Sequence, residues 1–590
     1  MKKRIDKVFG IFLSVLFLLL SSCQSDLLDT IPTNAVSSEN IWSNSNLATQ
    51  AVTGVYNQLL TDYSTNNNSH PYWDVRSSVM DYDANWVSAL AQLRGTATPS
   101  TSEYLTFWKR MYEPIQRAND IIANIEEVPD MDEATKARYI AECKFLRAWY
   151  YARLNMLWHG VPLYLEPVEA SECTKGRASE SEVWNAVISD LTDCINEPNV
   201  PDKYASGDSN YGHVTKGAAY ALRGKVYLWT EDYGKAESDF EAVTEMGYSL
   251  FSNYKTLFKE ENERCDEMIF SIQCIEQSGY GNAKSWAYGN RGSAGAGWNN
   301  YLYNPSFADS YESANGKPFL WDDYLPGYSS MSPKARSVFF LRDHLTQNEI
   351  NAMTVYGADM SKYLPDGNEV RIKATYDSRD PRLKMNVITP YSTYLGGLTG
   401  TAIEYTLRWP YRGSDGAEPF DLRTDTNSKF YYLIRKFVFE GREHIYQTYS
   451  PIDLPLIRYA DVLLNLAEAL NEQDKTEEAV PYVNMVRERA GTALLNSNNY
   501  TMVTGQDNMR ERIRNERYWE LAGEDVLYFD ELRWHTWKDK KFFPSNGLTE
   551  IWGTTTYTYS WVGDQNWTWA IPASEMEMNS NLVQNTGWNN

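Results

Sequence analysis

The stretch from Thr215 to Tyr248 constrains the fold of this chain strongly, because its small and large apolar residues recur at fixed offsets. It reads TKGAAYALRGKVYLWTEDYGKAESDFEAVTEMGY. Residues three or four apart share one face of a helix, so the spacing predicts two helices packed as a hairpin. A glycine at position 224 would let the second helix approach the first closely. The pattern is defined by offsets 0, 4, 7, 16 and 20, which fall on Tyr220, Gly224, Tyr227, Ala236 and Phe240.

A second stretch, DVLLNLAEALNEQDKTEEAVPYVNMVRERAG, repeats these offsets further along the chain. Gly247 and Gly491 suit the left-handed position that ends a helix, and Pro481 is expected inside the second helix of this copy. Two copies of one spacing are typical of tetratricopeptide helix pairs, so the sequence predicts a mostly α-helical scaffold. The repeated positions in this copy are Leu463, Ala467, Leu470, Ala479 and Val483.

Residues 139 to 158 are apolar nearly all round, which predicts a helix buried on most sides with Trp149, Tyr150 and Tyr151 in the core. Helical periodicity is absent from 61 to 103 and from about 275 to 450. Gly, Pro, Asn and Tyr are frequent in the latter range, which also has strand-like runs such as KFVFE. Long irregular insertions in a packed helical protein are usually functional, so we expect them to present a ligand site.

The irregular stretches are rich in aromatic residues with polar neighbours. Aromatic rings stack on the C–H faces of sugars while Asp, Asn and Arg bond the hydroxyls, so this composition favours a glycan site. The alternative is that each tryptophan closes the core beneath its own loop. The predicted glycan-binding residues are Trp73, Asp81, Tyr82, Asp83, Asn85, Trp86, Trp286, Tyr288, Arg291, Trp298, Asn299, Tyr301 and Trp321.

The first residues predict export. Lys2, Lys3 and Arg4 precede an apolar run from 8 to 20, which is typical of a secretory signal. Leu20-Ser21-Ser22-Cys23 is similar to a bacterial lipobox, in which the signal is cut before a cysteine that then carries lipid. We therefore expect a signal peptide at 1–22, lipidation of Cys23 and a tether at 23–40. The alternative is an ordinary signal with a coincidental cysteine.

Composition narrows the remaining function classes. The 590 residues are 43% hydrophobic with no Pro/Gly/Ser linker between blocks, which favours one large unit. A net charge of −23 argues against nucleic acid as a partner. The six histidines are isolated, no GxSxG motif occurs, and GSAGAG at 292–297 lacks dinucleotide spacing and is expected to be a flexible loop. We predict no catalytic residue, metal site or cofactor, although a glycosidase pair could be hidden among the 78 carboxylates.

Blocks spread over nearly the whole chain resemble the SusD/RagB family of surface lipoproteins, which bind glycans for uptake. Asp525, Leu527 and Thr586 depart from the usual Gly, Arg and Pro of that family. The matching blocks are FWKRMYEPIQRANDIIANIE (107–126), AECKFLRAWYYARLNMLWHGVPLY (141–164), RASESEVWNAVISDL (177–191), TKGAAYALRGKVYLW (215–229), RDPRL (379–383), PLIRYADVLLNLAEALNE (455–472), IRNERYWELAGED (513–525), YFDELRW (528–534) and IPASEMEMNSNLVQNTGW (571–588).

The resemblance implies one domain, 41–590, built on a right-handed tetratricopeptide-like helical scaffold that carries a large loop-rich subdomain with short strands. The scaffold would comprise mainly 41–60, 104–270 and 452–535, and the ligand-presenting subdomain mainly 61–103, 275–450 and 536–570.

The implied function is non-catalytic. The protein would sit on the surface of the cell outer membrane, bind oligosaccharides or polysaccharide, and deliver them to a SusC-like TonB-dependent transporter. The alternatives are a surface glycoside hydrolase and a helical-repeat adaptor for peptides or proteins. No motif transfers the family's glycan contacts to this chain, so the candidate site residues come from the residue pattern alone.

Overall fold

A computed structural model describes residues 41–61, 72–83, 90–295, 297–424, 429–543 and 547–588. The predicted signal peptide, Cys23, the tether, Asn85 and Trp86 lie outside these ranges. Within them, no helix combines the length and apolar character that a membrane span requires.

The fold is mostly α-helical with few short strands, as predicted. The long helices fall in the N-terminal half and between residues 459 and 533, while short helices fill the region between them. The α-helices of the described residues are α1 (Ser45–Thr61), α2 (Leu90–Leu93), α3 (Ser102–Asn124), α4 (Glu133–Trp158), α5 (Glu180–Asn196), α6 (Lys216–Trp229), α7 (Tyr233–Thr244), α8 (Lys284–Tyr288), α9 (Pro305–Ser310), α10 (Trp321–Tyr324), α11 (Pro333–Arg336), α12 (Gln347–Tyr356), α13 (Asn368–Asp377), α14 (Arg382–Asn386), α15 (Tyr459–Asn471), α16 (Thr476–Ala490), α17 (Gln506–Leu521), α18 (Leu527–Arg533), α19 (Trp537–Phe542) and α20 (Ala573–Met578).

The strands of the described residues form five antiparallel pairs rather than a continuous sheet. The pair of β1 with β3 matters most for the site, because it aligns Tyr82 with Tyr301. The pairs are β1 (Met80–Tyr82) with β3 (Tyr301–Tyr303), β2 (Met268–Ile272) with β8 (Leu454–Arg458), β4 (Val387–Ile388) with β7 (Leu433–Ile434), β5 (Thr393–Gly396) with β6 (Ile403–Thr406), and β9 (Gly547–Thr549) with β10 (Thr555–Thr558).

Local sequence signals set the ends of several long helices. The Asp132 side chain accepts from the Thr135 amide at the start of α4, and Ser179 forms a capping box with Glu182 at the start of α5. Gly491 ends α16 with φ 75°, which is the left-handed conformation expected there. Pro481 lies inside α16, as predicted.

The close approach predicted for Gly224 is present between α6 and α7. A Cβ atom added at Gly224 would lie 2.8 Å from the Phe240 ring, closer than side chains tolerate. Phe240 and Ala236 are both buried, so the second helix packs its small and aromatic positions onto the first. The equivalent residues of α15 and α16 are buried as well.

Helix α4 is buried on most sides, and Trp149, Tyr150 and Tyr151 lie in the core as predicted. Its charged residues are paired: the Arg147 guanidinium donates to both carboxylate oxygens of Asp190, at 2.8 and 2.7 Å. Buried charges paired in this way avoid the cost of an isolated ion in the interior.

Buried ion pairs link the irregular region to the long helices. Arg382 of α14 lies 2.7 Å from both Asp380 and Glu516, and the latter is on α17. Lys436 lies 2.6 Å from Glu524. The apolar core is continuous across the same boundary, so the two regions pack as one unit.

Candidate functional site

Seven of the thirteen predicted glycan-binding side chains are buried, and as placed they cannot touch a ligand. Trp73 packs against Phe529 and Trp569, with ring centroids 5.0 and 5.8 Å apart. Trp321 stacks on Tyr328 at 4.8 Å. For these rings the alternative interpretation, that the tryptophan closes the core beneath its loop, describes the structure. The seven are Trp73, Asp81, Tyr82, Tyr288, Asn299, Tyr301 and Trp321.

Three of the buried residues form a tyrosine cluster beneath the irregular loops. Tyr301 packs edge-on against Tyr82 at 4.6 Å and lies 5.5 Å from Tyr288. Tyr72 joins them at 5.1 Å from Tyr301. Burial raises the pKa of the Tyr82 hydroxyl well above its usual value, so the phenol stays neutral. The cluster supports the loop above it.

Asp81 is also structural. Its carboxylate accepts from Asn304 Nδ2 at 2.7 Å and from Lys541 Nζ at 3.0 Å. These bonds compensate the burial of the carboxylate and tie β1 to α19. No acceptor role toward a sugar is consistent with that placement.

Among the predicted residues that the structure describes, Trp298 is the one that is exposed, with 56% of its surface accessible. The guanidinium carbon of Arg291 lies 5.6 Å from the centre of its ring, a cation–π distance. Arg291 Nε donates to Asp415 Oδ2 at 2.7 Å, and Arg423 Nε lies 3.9 Å from the other Asp415 oxygen. We call Trp298, Arg291, Asp415 and Arg423 the Trp298 surface.

The loop that carries Trp298 is held by backbone contacts on both sides of the ring. The Gly297 amide donates to Asn290 O at 3.1 Å, and the Asn299 amide donates to Gly289 O at 3.2 Å. A Cβ atom at Gly297 would lie 2.1 Å from the Gly289 carbonyl carbon, so glycine is required there. The described residues of the GSAGAG stretch, which exclude Ala296, form neither helix nor strand, and Gly297 allows two chain segments to touch.

Asn299 connects this loop to the segment that contains Arg423. It is buried with φ 55°, and its Nδ2 donates to Arg423 O at 3.0 Å. Asparagine tolerates the left-handed conformation better than most residues. Asn299 therefore orients the Trp298 surface from below rather than binding a hydroxyl, which corrects its predicted role.

Asp83 and Trp286 are half-buried. The Asp83 amide donates to Asn300 O at 2.8 Å, so the end of β1 lies beside the Trp298 loop. Trp286 is on α8, which leads directly into that loop. The structure thus groups Asp83, Arg291 and Trp298 in one neighbourhood, with Trp286 at the start of the loop. Asn85 and Trp86 follow Asp83 in the chain and lie outside the described residues.

Asp415 and Arg423 were not among the predicted residues. Arg291 and Asp415 are 124 positions apart in the chain, and no periodicity joins them. The only local signal was the turn-rich, charged stretch RGSDGAEPF at 412–420. That stretch marks a loop without indicating which other loop it meets.

The Trp298 surface has the chemistry of a sugar platform. The indole offers an exposed apolar face of the type on which pyranose rings stack. Arginine has five N–H donors in a rigid fork, and Asp415 fixes the orientation of the Arg291 fork beside the ring. Stacking and hydroxyl recognition are therefore available at adjacent positions.

Metal ligation has no cluster to support it in the described ranges. No group of three or more His, Cys, Asp or Glu side chains is arranged there to hold an ion.

Family models match the chain in two separate parts. The model described as the SusD family matches residues 266–588, more than half of the chain. The chain belongs to the SusD family. A second model, described as starch-binding associating with outer membrane, matches residues 26–228. Together they extend over both the long helices and the region that carries Trp298.

Individual relatives of this SusD-family chain are distant in sequence. SusD-like protein P25 of Formosa agariphila is 25% identical over 540 residues, covering 88% of each chain. A SusD-like carbohydrate binding protein of Bacteroides fragilis has a TM-score of 0.73 at 23% identity, covering 92% of this chain and all of that one. A laminarin binding SusD-like protein has a TM-score of 0.63 at 22% identity, with the same coverage. These structural matches establish the fold.

Proposed function

We propose that this SusD-family protein is a non-catalytic, lipid-anchored protein of the outer-membrane surface that binds oligosaccharides and delivers them to a SusC-like TonB-dependent transporter. The glycan would be bound at the Trp298 surface. Lipid on Cys23 would provide the anchor, and the transporter would lie beneath the bound protein.

The observation that carries this proposal is the exposed Trp298 ring beside the Arg291–Asp415 ion pair. Trp73 and Trp321 are buried, whereas the Trp298 indole is exposed on a loop held by main-chain hydrogen bonds, with the Arg291 guanidinium beside it. This arrangement would let a sugar ring stack on the indole while Arg291 bonds its hydroxyls.

The relatives support the ligand class. The family model that matches residues 26–228 carries the words starch-binding, and a solved structure of the same fold is described as laminarin binding. Both ligands are polymers of glucose, in which hydroxyl-bearing rings also offer apolar faces. The same combination of stacking and hydrogen bonding at the Trp298 surface suits that chemistry.

Binding can be tested by electrophoresis through gels that contain one polysaccharide each, from a panel including starch, laminarin, xylan, mannan and pectin. We expect retardation by at least one of them, and no new reducing ends after incubation. Replacement of Trp298 by alanine should weaken binding by roughly thirtyfold or more, since a stacking aromatic at a hot spot contributes about 2 kcal/mol or more. The melting temperature should stay near that of the wild type because the ring is exposed.

Two matched variants control this experiment. Tyr500 is 49% exposed on a loop next to Asn315, away from the Trp298 loop contacts, so Tyr500→Ala should bind normally. Trp321 lies in the same irregular region as Trp298 but is buried, with its Nε1 donating to Asp309. Trp321→Ala should therefore lose about 3–5 kcal/mol of stability. Normal glycan binding by Trp298→Ala would show that the site is elsewhere, and release of reducing ends would favour the hydrolase alternative.

A further inference from the structure

A second exposed aromatic surface lies on the segment 445–450. The rings of Tyr446 and Tyr449 are stacked, with centroids 5.0 Å apart and planes 20° apart. Tyr446 is 51% exposed, and Tyr280 from a neighbouring turn is 56% exposed. Ile275 and Ile445 are exposed at its edge. We call Tyr280, Tyr446 and Tyr449 the tyrosine platform.

The platform rests on buried, hydrogen-bonded backbone. Asn282 and Ser450 are both buried and exchange two backbone hydrogen bonds, of 3.1 and 2.7 Å. Asn282 Nδ2 also donates to Ile452 O at 2.7 Å. A Cβ atom at Gly281 would lie 2.5 Å from the Tyr449 carbonyl carbon, so the two segments touch through their main chains. The exposed rings are thus presented by a fixed frame.

Charged side chains next to the platform contact one another. His444 lies between two glutamates, with Nδ1 3.5 Å from Glu276 and Nε2 3.5 Å from Glu260. The exposed part of the platform consists of tyrosine rings and aliphatic side chains. The side chains of the platform itself are therefore uncharged, which suits stacking on a neutral sugar.

The platform and the Trp298 surface are joined by a short path through the protein. The 3₁₀ turn Gln447–Tyr449 packs against α8, and α8 leads into the loop that begins with Asn290 and Arg291. Nine residues separate Asn282 from Arg291, so their Cα atoms lie at most about 30 Å apart, and the helical turns of α8 shorten that distance. An extended oligosaccharide of several sugar units covers such a span.

We propose that the tyrosine platform is a second stacking subsite for the glycan chain that occupies the Trp298 surface. This inference rests on the proposed function. Tyrosine rings provide the apolar face that stacks on a sugar and a hydroxyl that bonds to one, which aliphatic patches lack. Two stacking points on one chain raise affinity with chain length, because the second contact forms intramolecularly once the first has formed.

The test uses the panel polysaccharide that binds most tightly, cut into oligosaccharides of increasing length from the disaccharide upward. Calorimetry should show that wild-type affinity increases with length. In the double variant Tyr446→Ala/Tyr449→Ala, the increase in affinity from short to long oligosaccharides should be smaller by tenfold or more. Trp298→Ala should weaken binding at every oligosaccharide length. Tyr446→Phe/Tyr449→Phe keeps the rings and should keep most of the gain.

The single variant Tyr446→Ala guards against misfolding, because Tyr446 is exposed and its loss should leave the melting temperature unchanged. The inference is overturned if wild-type affinity does not depend on oligosaccharide length. It is also overturned if Tyr446→Ala and Tyr446→Ala/Tyr449→Ala both keep the full increase in affinity with length. Loss of transporter co-purification with unchanged glycan binding would also overturn it, since the platform would then be a protein contact. Failure of the whole panel to bind, or normal binding by Trp298→Ala, would instead contradict the proposed function.

Discussion

At the scale of single residues, Asp525 combines an unusual backbone conformation with a buried ion pair. Asp525 adopts φ 64°, a left-handed conformation in which the usual glycine would be unstrained. Its carboxylate lies 2.8 Å from Lys284 Nζ at the start of α8. The aspartate therefore anchors the helix that leads to the Trp298 loop.

Asp74 completes this buried group. Its carboxylate accepts from the backbone amides of Gly523, Asp525 and Leu527, at 2.8, 3.2 and 3.1 Å. Burial, followed by the negative charge of Asp525, raises the pKa of Asp74 to about 8. The segment after α17 is thus fixed to the 3₁₀ turn Trp73–Val75 by one side chain.

Half-buried Glu263 and buried Asp453 form another pair of neighbouring carboxyl groups, close in the chain to the segments that carry the tyrosine platform. The Asp453 amide donates to Glu263 Oε1 at 2.7 Å. Burial and the charge of Asp453 raise the pKa of Glu263 from 4.5 to about 8, and burial raises that of Asp453 from 3.8 to about 7. Because the folded state binds these protons more tightly, their contribution to stability is complete below the unfolded pKa values of 3.8 and 4.5, and it is lost progressively as pH rises from there to about 8.

We therefore expect the melting temperature to fall between about pH 4 and pH 8, and Glu263→Gln to reduce that fall. Glutamine keeps the acceptor for the Asp453 amide but cannot ionise. Glu261 is exposed two positions away, so Glu261→Gln is the matched control and should behave as the wild type. Thermal unfolding across the pH range measures the effect. If the melting temperature of Glu263→Gln falls with pH as steeply as that of the wild type, this pair does not cause the fall.

At the scale of elements, the close contact between α6 and α7 predicts that Gly224 cannot be replaced by a large residue. Gly224→Leu should overpack the contact with Phe240 and lower stability by about 1–3 kcal/mol or more. The same hairpin offers a control at Gly234 on α7, where an added Cβ would meet only Gln473 Oε1 at an ordinary 3.6 Å. Gly234→Ala should keep or slightly raise the melting temperature, since alanine favours helix. Equal melting temperatures for wild type and Gly224→Leu would rule out the close-approach explanation.

Helix pairs were predictable because their signals are local. The spacing of Gly224, Ala236 and Phe240 repeats within one hairpin, and each residue has the burial that its spacing predicts. The right-handed tetratricopeptide-like arrangement of the pairs remains a prediction. Packing within a pair follows from local sequence, whereas the rotation between successive pairs depends on contacts between them.

The candidate site was only partly predictable, since Trp298 and Trp321 look alike in sequence. Both lie in aperiodic segments with polar neighbours, yet Trp321 is buried and Trp298 is exposed. The aspartates after Trp321 are used within their own segment: Asp323 lies 2.6 Å from Lys317, and Asp322 accepts from the Ser329 amide. Long-range packing decides which ring is covered, and one sequence carries no periodic signal for it.

At the scale of the whole molecule, the ligand-presenting loops and the helical scaffold share one interior. Arg458 Nη1 lies 2.6 Å from Glu267, and its Nε lies 2.6 Å from Glu524, which also pairs with Lys436. Removing one partner from such buried ionic networks typically costs several kcal/mol. The loops that carry Trp298 are therefore stabilised by charges far from the surface they present.

The anchor is a prediction for the complete protein in its cell. Cys23→Ala should yield a folded protein that no longer sediments with membranes, because several acyl chains provide the attachment. Membrane fractionation should use cells that lack the partner transporter, so that binding to the transporter cannot hold the variant at the membrane. Ser22→Thr leaves the cysteine in place and provides a control for processing. Unchanged membrane retention of Cys23→Ala in those cells would contradict lipid anchoring.

The main-chain contact between Gly289 and Gly297 limits how this protein can be retargeted. Side chains are excluded at position 297, so the frame of the loop must be kept intact, while Trp298 and Arg291 project from it and Asp415 meets Arg291 from the loop at 412–420. A library aimed at a new sugar would hold both glycines constant and randomise these three positions. Recognition could then be exchanged on this loop without redesigning the fold that supports it.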